Sequence, residues 1–231
     1  MVNRQHNHLQ KPMSRVAVVL GATGLVGGHL TKLLCESDDF SRVVCPTRRE
    51  LAFTDEKLVN PKIDFDQLDE HQELFKGDCL FSCLGTTRKQ AGSIKAQRKV
   101  DYDYQLQVAE IARRNEVGHF LLVSSSGANG LSRNPYLKMK GELEDAVKKL
   151  NFSQTTILQP SLLLGTRDHT RLGEELAAKL LPTLCRLPGL RPYRPIRGKE
   201  VALKLLEESL SEGNGVTRYR LDEVFPKAGY H

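Results

Sequence analysis

A chain of 231 residues, 39% hydrophobic and 27% charged, has the make-up of a folded globular protein and the length of one α/β domain with a sizeable core. No apolar run reaches the length of a membrane span, which argues against a membrane protein. The formal net charge of +6 is spread along the chain with acids among the bases, apart from enrichment at Arg48-Arg49 and from Arg186 to Lys199, so a nucleic-acid partner is not expected.

Residues 1–14 are polar and lack the apolar core of a signal peptide; they read as a disordered tail. His6 and His8 in that tail are expected to be solvated, and no metal site is expected. The five cysteines, Cys35, Cys45, Cys79, Cys83 and Cys185, contain no C-x-x-C pair. Their odd number, without a secretory signal, predicts the reducing cytoplasm.

Val16 to Leu20 are five apolar residues in a row, the pattern of a buried strand. Gly21-Ala22-Thr23-Gly24-Leu25-Val26-Gly27 follows at once, and a helical pattern runs on to about Cys35. Strand, glycine turn and helix in this order predict a dinucleotide phosphate site. Gly21 permits the tight turn, Gly24 lets backbone approach a pyrophosphate, and Gly27 lets the helix pack closely. Free N–H groups at the helix start then face an anion.

Strands then alternate with helices, which predicts a Rossmann-like, doubly wound parallel sheet covered on both faces. The second strand is expected at about Arg42 to Pro46 and ends in Thr47-Arg48-Arg49-Glu50. An acid at this strand end would bond the 2′-hydroxyl of NAD, whereas arginine accommodates the 2′-phosphate of NADP. The tandem guanidinium groups therefore predict NADP(H), with Glu50 the residue pointing the other way. A short strand, Lys62 to Phe65, leads to Asp66, read either as a group at the adenine edge or as a helix N-cap. An acidic helix, Asp69 to Phe75, follows. Asp78 to Leu84 reads as the fourth strand, which brings Leu84 and Gly85 near the cofactor, because ligands bind outside the carboxyl ends of such strands.

Ser93 to Asn115 reads as a long helix with an apolar stripe of Val100, Tyr104, Val108 and Ile111. Gly118 breaks it, His119 to Ser125 is the fifth strand, and Ser124-Ser125-Ser126-Gly127 lies at its carboxyl end. Tyr136 and Lys140 follow on a helix beginning at Pro135, and their i, i+4 spacing puts them on one face. That set has a chemical logic. Carbonyl reduction needs a proton delivered to oxygen as hydride reaches carbon. A phenol, ordinarily near pKa 10, exchanges its proton more readily beside an ammonium group. A serine hydroxyl can hold the substrate oxygen.

Phe152 to Gln159 reads as the sixth strand, followed by Pro160 to Gly165 along the cofactor edge. Leu176 to Leu184 reads as a short helix, and the Pro/Arg-rich 186–197 as a loop over the substrate, where Arg191, Tyr193, Arg194 and Arg197 are candidates for an acidic group. An amphipathic helix, Lys199 to Leu210, and a last strand, Val216 to Leu221, complete a single domain, 15–231, whose part from about 165 forms a small substrate-side elaboration.

The glycine motif, the serine strand and Tyr136-x-x-x-Lys140 resemble the short-chain dehydrogenase/reductase superfamily in its atypical or extended branch. Arg48-Arg49, Cys83-Leu-Gly-Thr-Thr-Arg88 with Ala91-Gly92, Val100-Asp-Tyr-Asp-Tyr104, Ser124-Ser125 and Tyr136-Leu-Lys-Met-Lys-Gly-Glu-Leu-Glu144 are similar to its Tat-interacting-protein-like oxidoreductases, from about residue 15 to 173. The resemblance implies that Thr23, Gly24, Leu25 and Val26 line the pyrophosphate, and that Arg48 and Arg49 take the 2′-phosphate. Leu84 and Gly85 border the ribose. Tyr136 is implied as proton donor/acceptor, Lys140 as a ligand of the nicotinamide ribose, and Ser125 as the strand-end serine. Ser126 stands where those relatives carry lysine, so the working hydroxyl is open between the two. Leu163 is implied as a nicotinamide-pocket residue and Arg171 as a second phosphate contact. The expected partners are NADP(H) and a small-molecule substrate; protein partners are unspecified, and monomer and homodimer both stay open. Two other functions compete with the oxidoreductase. One is an NADPH-sensing regulator acting through protein contacts; the other is a sugar-nucleotide epimerase or dehydratase, for which the C-terminal part is small.

Overall fold

The computed structural model describes residues 14–164 and 191–227. Seven strands form one wholly parallel sheet. They are β1 (Arg15–Leu20), β2 (Phe40–Val44), β3 (Leu58–Val59), β4 (Cys79–Ser82), β5 (His119–Val123), β6 (Gln154–Gln159) and, after a separate strand pair, β9 (Gly215–Arg220). Their order across the sheet is β3-β2-β1-β4-β5-β6-β9. The order reverses between β1 and β4, and the crevice at such a reversal is where open α/β sheets bind ligands.

The sheet is covered on both faces, as its continuous apolar strands demand. Along β1 the side chains alternate. Ala17 and Val19 join one apolar cluster with Leu30, Leu34, Val201 and Leu205; Val18 and Leu20 join the other with Val108, Ile111, Leu143 and Val147. The first cluster lies under α1 (Leu25–Glu36) and the C-terminal helix α6 (Gly198–Ser209). The second lies under α4 (Tyr104–Arg114) and α5 (Pro135–Lys149). Two short helices, α2 (Arg88–Ala91) and α3 (Ile94–Arg98), precede α4. The small pair β7 (Leu163–Leu164) and β8 (Ile196–Arg197) stands beyond β6.

Several expectations shift. The second strand begins two residues early, at Phe40, and closes at Val44 before Pro46, a residue without an N–H to donate. The third is not Lys62 to Phe65 but Leu58–Val59, with Lys62 bridging only Thr47. The acidic helix begins at Phe65 as a 3-10 helix, and its N-cap is Asp64, whose carboxylate accepts from the Asp66 N–H; Asp66 is not the cap. The long helix contains a π turn, Lys99–Asp103, joining α3 to α4. Its buried stripe is Gln97, Asp101, Gln105, Val108, Ala109, Ile111 and Ala112, so Val108 and Ile111 stand as expected, while Val100 and Tyr104 are half-buried beside it. The expected helix at Leu176 to Leu184, the N-terminal tail, Arg171 and Cys185 lie outside the described residues.

Candidate functional site

The glycine turn is built as its sequence requires. Gly21 has φ +79°, and a Cβ there would stand 2.7 Å from the Cys83 carbonyl and 2.8 Å from Leu84 N. The turn after β1 therefore touches the chain leaving β4, and only a residue without a side chain fits. A Cβ on Gly27 would lie 2.2 Å from the Gly21 oxygen, so Gly27 lets the first turn of α1 close over the glycine turn itself. At Gly24 the nearest protein atom to such a Cβ is 3.1 Å away, and Thr23 and Gly24 are exposed. Among the described residues no side chain caps α1, and its first turn holds no acid. The N–H groups of this helix start are thus presented to an anion, as a dinucleotide pyrophosphate requires.

Arg48 and Arg49 follow β2, both exposed. Asn60 braces their loop. Its amide donates to the Cys45 carbonyl at 2.6 Å and to Thr47 Oγ1 at 2.8 Å, and its oxygen accepts from Leu51 N at 2.8 Å. Thr47 Oγ1 in turn donates to the Arg49 carbonyl at 2.6 Å. Asp66 does not offer a free carboxylate to an adenine. Lys99 Nζ sits 2.6 Å from it, Tyr104 Oη donates to it, and these partners hold its carboxyl below the usual carboxylate range. These residues line an open cavity of about 470 Å³ with Phe65 and Lys95.

At the opposite side of the crevice, α5 starts with Pro135 at its first helical position, capped by Asn134, whose side chain accepts from Tyr136 N at 3.0 Å and Leu137 N at 3.3 Å. Tyr136 is half-buried; Lys140, one turn on, is 3% exposed. The lysine ammonium lies 3.2 Å from Oδ1 of Asp101, which is 1% exposed. Asp101 Oδ2 accepts from Thr86 N at 2.9 Å, and Gln97 Nε2 donates to the Thr86 carbonyl at 3.2 Å. The strand-end loop carrying Leu84 and Gly85 is thereby tied to the helical segment whose Asp101 pairs with the lysine of α5. Gln105 supports the π turn, donating to the Asp101 carbonyl at 2.9 Å and accepting from Ser82 Oγ at 2.7 Å. A π turn inside a helix often marks a functional site; here it sits where Asp101 meets Lys140.

Among the serines, Ser124 is buried and donates to Glu144. Ser125 and Ser126 are half-buried, and among the described residues the Ser125 hydroxyl makes only a long, 3.5 Å bond to the Ser126 carbonyl. The loop from Gly127 to Leu131 folds back over α5. A Cβ on Gly141 would stand 2.2 Å from Gly130 N and 2.3 Å from the Asn129 carbonyl carbon. Leu163 is half-buried on β7, against the cluster under α1, and Ile196 beside it is fully buried. Gly198, starting α6, packs so tightly on Leu25 that a Cβ would lie 2.6 Å from its Cγ.

The sequence assigns no role to Asp101, Asn60, Gly141, Glu144 or Gly198, although Asp101, Gly141 and Glu144 lie within stretches that carry the resemblance. Two carried a signal: Asp101 stands at helical spacing between Gln97 and Gln105, an unusually polar stripe, and Gly141 interrupts a helical pattern.

A model of the NAD(P)H-binding family matches residues 21–179, more than half of the chain. The protein FMP52, mitochondrial, of Candida glabrata is 39% identical over 204 residues, 86% of each chain. HTATIP2 of Rattus norvegicus is 40% identical over 178 residues, 75% of this chain and 73% of that one. The chain belongs to this family of NAD(P)H-binding, atypical short-chain dehydrogenases/reductases. Its fold is also similar to that of the Bordetella bronchiseptica enzyme WbmH, solved in complex with NAD+, with a TM-score of 0.68 at 14% identity over 90% of this chain and 76% of that one. The cytoplasmic expectation is overturned, because the FMP52 relatives are named mitochondrial. An odd number of cysteines without a secretory signal separates reducing compartments from oxidising ones and carries no information on which reducing compartment is meant.

Proposed function

We propose that this chain is an NADP(H)-dependent oxidoreductase acting between a carbonyl and an alcohol. The observation that carries the reading is the buried Lys140–Asp101 pair, one helical turn from Tyr136 and beside the strand edge that bears Ser125. The uncapped start of α1 suits a pyrophosphate at Thr23, Gly24, Leu25 and Val26. Arg48 and Arg49, exposed on their braced loop, suit a 2′-phosphate. Held by these residues, NADP(H) would supply the hydride chemistry at the substrate carbon.

In this mechanism Ser125 donates to the substrate oxygen and Tyr136 exchanges the proton with that same oxygen. Lys140 keeps a positive charge beside the phenol and binds the nicotinamide ribose. Asp101, itself held by Thr86 N, fixes the ammonium and compensates its burial. Tyr136→Phe removes the proton carrier without removing the ring. It should leave NADPH affinity within about twofold and lower turnover at least a hundredfold, within the usual range for losing a general acid/base group. A parent protein that binds NADPH yet oxidises none across a broad panel of carbonyls would favour the sensing role. The names of the FMP52 relatives favour mitochondria as the place of action, and fractionation of cells expressing the tagged chain tests it.

A further inference from the structure

Tyr136, Lys140 and Glu144 stand at i, i+4 and i+8 on α5, one stripe facing the strand ends. Glu144 is 2% exposed, and its carboxylate is fully engaged. Oε1 accepts from Ser124 Oγ at the end of β5 and, at 2.8 Å, from Gln159 Nε2 at the end of β6. Oε2 lies 3.2 Å from Nη2 of Arg218, which β9 contributes. One side chain of α5 is therefore pinned to three adjacent strands, at the same carboxyl edge where Ser125 emerges. Lys140, a turn away, is pinned to the other side by Asp101. The two charges of α5, Lys140 and Glu144, are thus each matched by an opposite charge from another element, Asp101 of the π turn and Arg218 of β9.

A buried carboxylate costs several kcal/mol in desolvation, and an apolar residue of like volume often serves stability as well. What an apolar residue does not supply is direction: three hydrogen-bonding or charged partners fix both the depth and the rotation of the helix. We propose that Glu144, held by Ser124, Gln159 and Arg218, is a positioning residue that sets α5 against the strand ends, so that Lys140 and Tyr136 meet the nicotinamide half of the cofactor. β9 thereby takes part in the active site through Arg218, from the C-terminal portion of the chain. The inference rests on the oxidoreductase reading for the roles of Tyr136 and Lys140.

The test separates the two halves of the cofactor. Affinities of the full-length protein for NADPH and for adenosine 2′,5′-bisphosphate, which carries the adenosine half alone, are measured for the parent, Glu144→Gln and Arg218→Gln. Glu144→Gln keeps the shape and an acceptor but loses the charge; Arg218→Gln, at a partly exposed position, removes the same pair from its other side and guards against a variant that fails to fold. Both should weaken NADPH at least tenfold and leave the adenosine ligand within twofold. Equal weakening of both ligands, or of neither, in the two variants overturns the proposal and leaves Glu144 a general stabilising group. A parent that binds neither ligand refutes the NADP(H) reading itself, and a parent that binds both, with variants unchanged, refutes the positioning role alone.

Discussion

Asp101→Asn tests a part of the site to which no sequence motif assigned a role. Asparagine preserves the shape and an oxygen for the Thr86 N–H, but it withdraws the charge from a lysine that is 3% exposed. Breaking a buried ion pair by removing one partner costs about 3–5 kcal/mol. Because the bond to Thr86 can persist, the lower end, about 3 kcal/mol, is expected. For a chain of this size that lowers Tm by about 6–12 °C. Urea unfolding of parent and variant, with calorimetric Tm alongside, measures it. The decisive control is the double variant Asp101→Asn with Lys140→Met. It removes both charges, so most of the lost stability should return, since replacing a whole buried pair is often neutral. A single-variant loss under about 1 kcal/mol, or a double variant no more stable than the single, would refute the view that Asp101 compensates Lys140.

Two further outcomes can be measured directly. Arg48→Ala should weaken NADPH at least tenfold, the scale of one charge-assisted bond of about 1.5–3 kcal/mol, while NADH changes little; equal affinity of the parent for both cofactors would sink this. His119, buried with its Nε2 2.9 Å from Thr156 Oγ1, has its pKa pushed down to about 4 by burial and then by the Arg15 charge. The unfolded histidine binds its proton near pH 6.5, so stability is complete above that pH and falls as pH drops toward 4. The loss reaches about 3 kcal/mol, and His119→Gln should flatten that part of the pH–stability profile.

Much of the candidate site's local geometry was legible in the sequence. Gly21, Gly24 and Gly27 answer to sterics within one turn, and the arginines follow their strand directly, so adjacency in the chain places them. Tyr136 and Lys140 are four apart on one helix, a spacing that fixes their common face. The third strand was placed late because Lys62 to Phe65 shows the apolar pattern while Leu58–Val59 makes the ladder. The stripe on the long helix was read one residue off at Val100 and Tyr104, because Asp101 and Gln105 are polar and a polar residue is not expected in the buried stripe.

The sequence by itself determined the alternation of strand and helix, the glycine turn, the arginine pair and the Tyr136–Lys140 face, because each depends on residues within a few positions of one another. Tertiary structure alone decided who accompanies them. Asp101 reaches Lys140 across 39 positions through a π turn, Arg218 reaches Glu144 from the last strand of the sheet, and Gly198 comes to rest on Leu25. Such pairings depend on how the parallel strands are ordered and how the helices lie across them. Nothing in the local pattern of either partner encodes the other, and the buried charges make sense only once the fold has brought their counterparts within about 3 Å.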